Sequence, residues 1–129
     1  MIEPRPLIGV SDVTASRLWY ETLLGCRSDH GGTTYERLLD GDRLVLQLHA
    51  WDDPEDHHEY LGTPDRPFGN GVLLWFLVDD FPGAVKRARG MEADVLEELY
   101  NERGMQHECW IRDPDGYVVV LAGPSSWKG

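Results

Sequence analysis

Two side chains of this sequence could exchange protons with a substrate, His49 and Glu108. Both lie in segments that read as β-strands. If they approach each other, the pair could act as a general acid and base, or supply two ligands to a metal ion. An isolated histidine on a strand is more often part of a structural hydrogen bond, so a structural role is the alternative. The distance between the two residues does not follow from the sequence.

Aromatic side chains accompany these two residues on the predicted strands. The two-residue period of a β-strand gives one face of the strands a defined set of side chains: Val45, Gln47, His49, Trp51, Leu73, Trp75, Leu77, Gln106, Glu108, Trp110, Val118 and Val120. Indole rings beside scattered polar groups suit a flat, partly apolar ligand, which Gln47, His49 and Glu108 would orient. The alternative is that the tryptophans are core residues that seal the sheet against helices or a partner subunit.

The elements that must position these residues follow a βαβββ order. The predicted strands of the first copy are 6–10, 26–30, 33–39 and 43–51. Its helix has Ser11 or Asp12 as N-cap and ends at Gly25, a favourable C-cap.

The same order returns in the second half. The predicted strands of this copy are 71–78, 94–100, 106–112 and 117–122. Its helix follows Asp80, has Pro82 in the first turn, where the missing N–H costs no hydrogen bond, and runs to about Arg89. Asp80 corresponds to Asp12, and the segment YVVVL corresponds to the earlier LVLQL. The sequence therefore predicts an α+β fold of two tandem βαβββ modules that arose by duplication.

Composition limits the function classes. A chain of 129 residues with 41% hydrophobic and 27% charged residues is expected to form one domain over 1–129. The net charge of −11 argues against nucleic acids and anionic membranes as partners. The longest apolar run, 72–78, is too short to span a bilayer, and the N-terminus lacks the pattern of a signal peptide. We expect a cytoplasmic protein.

The segment 52–70 connects the modules 1–51 and 71–129. It is acidic and has no clear periodicity, and His57 and His58 lie within it. A solvated connector is the simpler interpretation, and a lid over a binding site is the alternative.

The two βαβββ modules, the segment SRLWYETLLG after the first strand and the final RDPDGYVVVL resemble the vicinal oxygen chelate superfamily. This superfamily includes glyoxalase I, extradiol dioxygenases, fosfomycin-resistance enzymes and bleomycin-resistance proteins. The resemblance implies a curled mixed sheet around a cleft, often completed by the partner subunit of a homodimer. It also implies one divalent metal ion held by four strand positions.

In this sequence those four positions are Arg5, Gln47, Leu73 and Val120. A divalent ion needs several oxygen or nitrogen donors, and among the four only Gln47 offers a credible one. The sequence therefore predicts that the usual metal centre and its cofactor are absent. An atypical binding site for a divalent metal ion remains an alternative.

The segment 99–106 lies where the resemblance implies a hairpin near the mouth of the cleft. Tyr100, Asn101 and Arg103 could contact a ligand there. A plain turn built on Asn101 and Gly104 explains the same residues equally well.

Three hypotheses follow for function. The first is metal-independent binding or sequestration of an aromatic or drug-like molecule, as in antibiotic-resistance members of the superfamily. Its expected ligand contacts are Gln47, His49, Trp51, Trp75, Tyr100, Glu108, Trp110 and Val120. The second is a lyase, isomerase or dioxygenase that uses an atypical metal site or the pair of His49 and Glu108. The third is a scaffold whose cleft is vestigial.

Overall fold

Each half of the chain forms its own four-stranded mixed sheet with one helix. This computed structural model describes residues 1, 3–51, 61, 71–103 and 105–123. The chain divides into two compact units, Met1–Arg66 and Pro67–Gly129. The predicted connector 52–70 lies outside the described residues except for position 61. The prediction of two tandem βαβββ modules is confirmed.

The first unit has the strand order β1-β4-β3-β2. Its elements are β1 (Leu7–Val10), α1 (Val13–Leu24), β2 (Arg27–Ser28), β3 (Tyr35–Asp40) and β4 (Arg43–Ala50). Strands β1 and β4 are parallel, and the other neighbours are antiparallel. Helix α1 packs on β3 and β4 and covers one face of the sheet. The opposite face of the sheet is the one that the predicted site residues occupy.

The second unit repeats this order as β5-β8-β7-β6. Its elements are β5 (Leu73–Leu77), α2 (Phe81–Gly90), β6 (Asp94–Asn101), β7 (Gln106–Arg112) and β8 (Val118–Gly123). Strands β5 and β8 are parallel, and helix α2 packs on β8. Among the described residues no helix is both long and apolar enough to cross a membrane.

The predicted helix caps have the expected geometry. The Asp12 carboxylate accepts a hydrogen bond from the backbone N–H of Ala15 at 3.0 Å, and Gly25 ends α1 with a φ of 67°. In the second unit the Asp80 carboxylate accepts from the N–H of Gly83 at 3.1 Å. These side chains satisfy N–H groups that have no partner inside the helix, which is why the helices begin at these points.

Strand β2 is shorter than predicted. The chain leaves the strand after Ser28 because the buried Glu36 carboxylate accepts hydrogen bonds from the backbone N–H groups of His30 and Gly31, each at 2.8 Å. These groups bond to a side chain instead of to a neighbouring strand. Gly31, with a φ of 75°, completes the loop.

The Asp-Pro-Asp-Gly segment forms the turn that leads into β8. One Asp113 oxygen accepts hydrogen bonds from the N–H groups of Asp115 at 2.9 Å and Tyr117 at 2.8 Å. Gly116 adopts a φ of 99°, which suits glycine. The turn therefore fixes the start of β8 and with it the position of Val120.

Side chains between each sheet and its helix form the cores. In the first unit they include Ile8, Val10, Val13, Tyr20, Leu23, Leu38, Leu46 and Leu48. In the second unit they include Leu74, Phe81, Ala84, Val85, Ala88, Cys109, Ile111, Val119 and Leu121. Because alternate strand residues are committed to these cores, the residues between them must face the other side of each sheet.

Candidate functional site

The face of the first sheet opposite α1 is polar. Gln47 and His49 on β4 lie on this face, because Leu46 and Leu48 between them are buried in the core. On β3, Arg37 pairs with Gln47 and Tyr35 pairs with His49. We call this surface the polar face; its strand residues are Leu7, Gly9, Tyr35, Arg37, Gln47 and His49.

The carboxamide of Gln47 is engaged at both ends. Its Nε2 donates to the backbone carbonyl of Arg5 at 3.0 Å, and its Oε1 accepts from the hydroxyl of Tyr35. Burial raises the pKa of Tyr35 above its ordinary value, so this hydroxyl keeps its proton at neutral pH. Gln47 is therefore held in one orientation by β3 and by the segment that precedes β1.

His49 is 2% exposed. Its Nδ1 lies 2.8 Å from the carbonyl oxygen of Ala50. Since a carbonyl only accepts, this contact requires the proton on Nδ1. The ring of Tyr35 lies 6.4 Å from the His49 ring. His49 is thus fixed as a specific tautomer with little surface available to a ligand.

Trp51 packs over Gly9. A Cβ atom at position 9 would lie 2.7 Å from three atoms of the Trp51 ring. Only glycine leaves room for this ring against β1. The indole of Trp51 is therefore part of the packing of the first unit.

The face of the second sheet opposite α2 carries two tryptophans and several aliphatic residues beside the buried Glu108. The rings of Trp75 on β5 and Trp110 on β7 form a T-shaped contact with centroids 6.1 Å apart and an interplanar angle of 79°. Val120 on β8 pairs with Trp75 on one side and Trp110 on the other, and it is 0% exposed. We call the surface formed by Leu73, Trp75, Leu77, Trp110 and Val120 the aromatic face.

Glu108 lies beside Trp110 on the same side of β7 and is 2% exposed. Its carboxylate accepts three hydrogen bonds, from Asn101, Gln106 and Trp110. Burial by itself would raise the pKa of Glu108, but these hydrogen bonds outweigh it and hold the pKa below the ordinary value. At neutral pH the carboxylate is ionised, which makes it a weak base and no acid.

The remaining predicted ligand contact, Tyr100, lies on the other side of its strand. Tyr100 pairs with His107, and their rings lie 4.8 Å apart. The His107 ring also stacks on Phe81 of α2, at 6.1 Å and 30°. Tyr100 therefore shares a face with Cys109 and not with Glu108. Its neighbour Asn101 contacts Glu108 directly.

The two residues considered as an acid and base belong to different units, His49 to the first and Glu108 to the second. Within its own unit each is hydrogen-bonded and nearly buried. Neither unit alone contains the complete pair.

The residues at the four family metal positions do not fit a divalent ion. Leu73 and Val120 have no donor atom, and Arg5 is a permanent cation. The one oxygen donor, Oε1 of Gln47, already accepts the Tyr35 hydroxyl. In the described part of the chain no group of three or more His, Cys, Asp or Glu side chains is arranged to hold a metal ion.

Sequence reasoning missed Tyr35 and Arg37 on the polar face. Strand alternation in 33–39 offered a signal for them. Their partners, however, depend on a shift of register between Leu38 and Leu39, which moves every pair beyond it by one residue. A bulge of this kind has no distinct sequence signature here.

Comparison with known proteins defines the family. Residues 4–121 match the model of the Glyoxalase/Bleomycin resistance protein/Dioxygenase superfamily. A lactoylglutathione lyase of Pseudomonas aeruginosa is 32% identical over 91 residues, which cover 70% of this chain and 50% of that protein. The chain thus spans about half the length of this curated relative.

Solved structures share the fold at low identity. A bleomycin-binding protein in complex with bleomycin has a TM-score of 0.67 and 17% identity, over 95% of this chain and 98% of that chain. The fosfomycin resistance protein FosX of Mesorhizobium loti has a TM-score of 0.66 and 15% identity, over 98% of this chain and 96% of that chain. With the duplicated βαβββ units and the match over nearly the whole sequence, the chain belongs to the Glyoxalase/Bleomycin resistance protein/Dioxygenase superfamily.

Proposed function

We propose that this protein binds a small, flat, partly apolar molecule without using a metal ion. The observation that supports the proposal is the aromatic face, where two indole rings flank Val120. The family resemblance implies a metal ligand at this position. A site built for a cation there would need an oxygen or nitrogen donor. A valine between two tryptophans favours an apolar ring instead.

The aromatic face has surface to offer such a ligand. Trp75 is 44% exposed and Leu77 is 74% exposed. Large apolar side chains that remain exposed together often mark a binding surface, since covering them releases water from apolar area. An aromatic ligand could stack on either indole while its polar groups stay in water.

The polar face of the first unit offers hydrogen-bonding groups of its own. Among them Tyr35, Arg37 and Gln47 are partly exposed, whereas His49 is nearly buried. The net charge of −11 favours neutral or cationic ligands over anionic ones. Sequestration of a drug-like compound agrees with this chemistry, and a protein of the same fold binds bleomycin.

A fluorescence titration tests the proposal. The protein would be titrated with bleomycin and a fixed panel of neutral and cationic planar aromatic compounds, with tryptophan emission as the signal. We expect at least one compound to change the emission saturably. Trp75→Ala and Trp110→Ala should each weaken its binding by roughly tenfold or more.

Trp19→Phe is the matched control, because Trp19 lies on α1 and contacts Tyr20. This variant should bind as the wild type does. Equal loss in all three variants, or no saturable change with any compound, would contradict the proposal. One tightly held divalent ion per chain in elemental analysis would contradict its metal-free part.

Lyase activity is the second candidate, favoured by the similarity to the lactoylglutathione lyase. It predicts turnover of S-lactoylglutathione or of the compounds that form it. His49→Ala should then abolish turnover while the protein stays folded by circular dichroism. Absence of turnover, with or without added divalent metal, would leave binding as the function.

We also propose that the protein is a cytoplasmic homodimer. Dimers that complete a shared site are what the superfamily implies. Sedimentation equilibrium would show twice the chain mass of 14.7 kDa, and cell fractionation would recover the protein with cytoplasmic markers. A monomer at micromolar concentration would contradict the proposed homodimer.

A further inference from the structure

We infer that Glu108 is a positioning residue that fixes the orientation of the Trp110 ring on the aromatic face. The indole Nε1 of Trp110 donates to Oε1 of Glu108 at 3.0 Å. The two residues are next to each other on one side of β7. The importance of this arrangement for ligand binding rests on the proposed function, but the arrangement itself can be tested without any ligand.

The hydrogen bond selects one orientation of the indole. Rotation of the ring by half a turn about its bond to Cβ would carry Nε1 away from the carboxylate and leave a buried acceptor with one partner fewer. The T-shaped contact with Trp75 depends on the same orientation, because its geometry places the two ring planes at 79°. Glu108 thereby determines which surface of Trp110 is available for stacking.

The carboxylate can act as a fixed point because it is held from the other side. Nδ2 of Asn101 and Nε2 of Gln106 donate to Oε2 at 2.9 and 3.1 Å. These two residues form the last pair of the hairpin between β6 and β7. With one oxygen bonded to the hairpin end and the other to the indole, the carboxylate cannot follow a rotating ring.

Few other charged groups surround this carboxylate. On β6, Glu97 pairs with Trp110 and is exposed, and Glu98 forms an ion pair with Arg89. On β7, His107 points to the other side of the sheet, and Arg112, on the same side as Glu108, lies 4.0 Å from the Asp94 carboxylate. The described strand β8 has no titratable side chain. A response of the Trp110 indole to acid can therefore be assigned by a small number of variants.

The experiment measures the indole N–H resonances of the five tryptophans by ¹⁵N-labelled NMR without ligand. Trp110→Phe identifies the Trp110 signal by its loss. At neutral pH we expect this signal downfield, as for an N–H that donates to a carboxylate. On acidification it should move upfield with a midpoint below the ordinary glutamate pKa of about 4.3.

Glu108→Gln removes the charge but keeps an oxygen acceptor, so the Trp110 signal should lie upfield at neutral pH and no longer titrate. Glu97→Gln is the matched control, since it removes a carboxylate opposite Trp110 but not the one that accepts its N–H; it should leave both position and titration unchanged. The wild-type titration needs no variant and so does not depend on Glu108→Gln folding.

An unmoved Trp110 signal in the acid titration or in Glu108→Gln would overturn the inference, whatever compound binds. A normal titration together with unchanged ligand binding in Trp110→Ala would overturn the proposed function and leave the positioning role intact.

Discussion

Gln47 on β4 and Val120 on β8 occupy equivalent places in the two units. Each lies on the strand that is central between an edge strand and the third strand of the unit, and each faces away from the helix. The partner of Gln47 on β3 is Arg37, whereas the partner of Val120 on β7 is Trp110. One fold repeated twice therefore presents an amide beside a cation in the first unit and a valine beside an indole in the second.

The edge strands differ in the same sense. Gly9 on β1 accommodates the ring of Trp51 from its own unit. The equivalent residue on β5, Leu77, is the most exposed side chain of the aromatic face. The first unit covers its edge with its own tryptophan, and the second leaves apolar area uncovered.

The two equivalent positions also differ in the donor atoms that they offer. In the first unit Oε1 of Gln47 is present as a possible metal donor, but it already accepts a hydrogen bond from the Tyr35 hydroxyl. In the second unit Val120 has no donor at all and its surroundings are apolar. Replacing one residue therefore has a different cost in each unit.

The largest expected effect comes from placing a carboxylate in the aromatic face. Val120→Glu would bury a charge with no partner and should lower the free energy of unfolding by on the order of 3–5 kcal/mol. Gln47→Glu keeps the Tyr35 hydroxyl as a donor but loses the hydrogen bond to the Arg5 carbonyl, so it should cost about 1–2 kcal/mol. Urea denaturation at neutral pH measures both. Equal losses of unfolding free energy in Val120→Glu and Gln47→Glu would contradict the difference between the two units.

A second prediction concerns the packing of Trp51. Gly9→Ala places a methyl group against the indole ring and should destabilise the protein by about 1–3 kcal/mol. In a Trp51→Ala background the same change should be nearly neutral, because the ring is gone. Thermal or urea denaturation of the four proteins gives this double-mutant cycle. Purely additive losses would show that the ring is not the cause.

Tyr35→Phe should cost about 1 kcal/mol, since it removes one hydrogen bond to Gln47. Burial raises the pKa of Tyr35, so folding favours its protonated form. That contribution is complete below the unfolded pKa of about 10 and is lost as the pH rises through the folded value. The variant should therefore lose less stability than the wild type in alkaline denaturation. Tyr100→Phe, at an exposed tyrosine, should behave as the wild type.

The smallest effect is expected at the surface ion pairs. Arg37 donates to both carboxylate oxygens of Asp29, at 2.9 and 2.7 Å, and Arg89 donates to Glu98 at 2.6 and 2.7 Å. Because both pairs are solvated, Arg37→Ala and Arg89→Ala should each lower the free energy of unfolding by less than the preceding substitutions do, and by less still at high salt. A loss at Arg37 alone as large as that of Tyr35→Phe would give the polar face a larger structural role.

Local signals in the sequence were sufficient for the framework. The caps at Asp12, Gly25 and Asp80 were predicted and confirmed, because each depends only on residues within a few positions along the chain. The strand faces also follow from local alternation, and the structure places Gln47 with His49 and Glu108 with Trp110 as expected.

Contacts between distant residues could not be read in the same way. The pairing of Tyr35 with His49 depends on the register shift between Leu38 and Leu39. The end of β2 depends on Glu36, which accepts hydrogen bonds from the N–H groups of the preceding loop. The sequence suggested Glu108 as a ligand contact or base. The structure shows its three hydrogen bonds. Two of them come from Asn101 and Gln106, which form the last pair before the turn between β6 and β7.

The sequence by itself determined the duplicated βαβββ order, the family resemblance and the residue types at the positions where that resemblance implies metal ligands. Periodicity, caps and motifs are properties of neighbouring residues. Only the tertiary structure decided that the Tyr35 hydroxyl donates a hydrogen bond to Gln47 and that the rings of Trp75 and Trp110 contact each other beside Val120. Those contacts join separate strands, and their geometry is set by sheet register and packing, which no short stretch of sequence specifies.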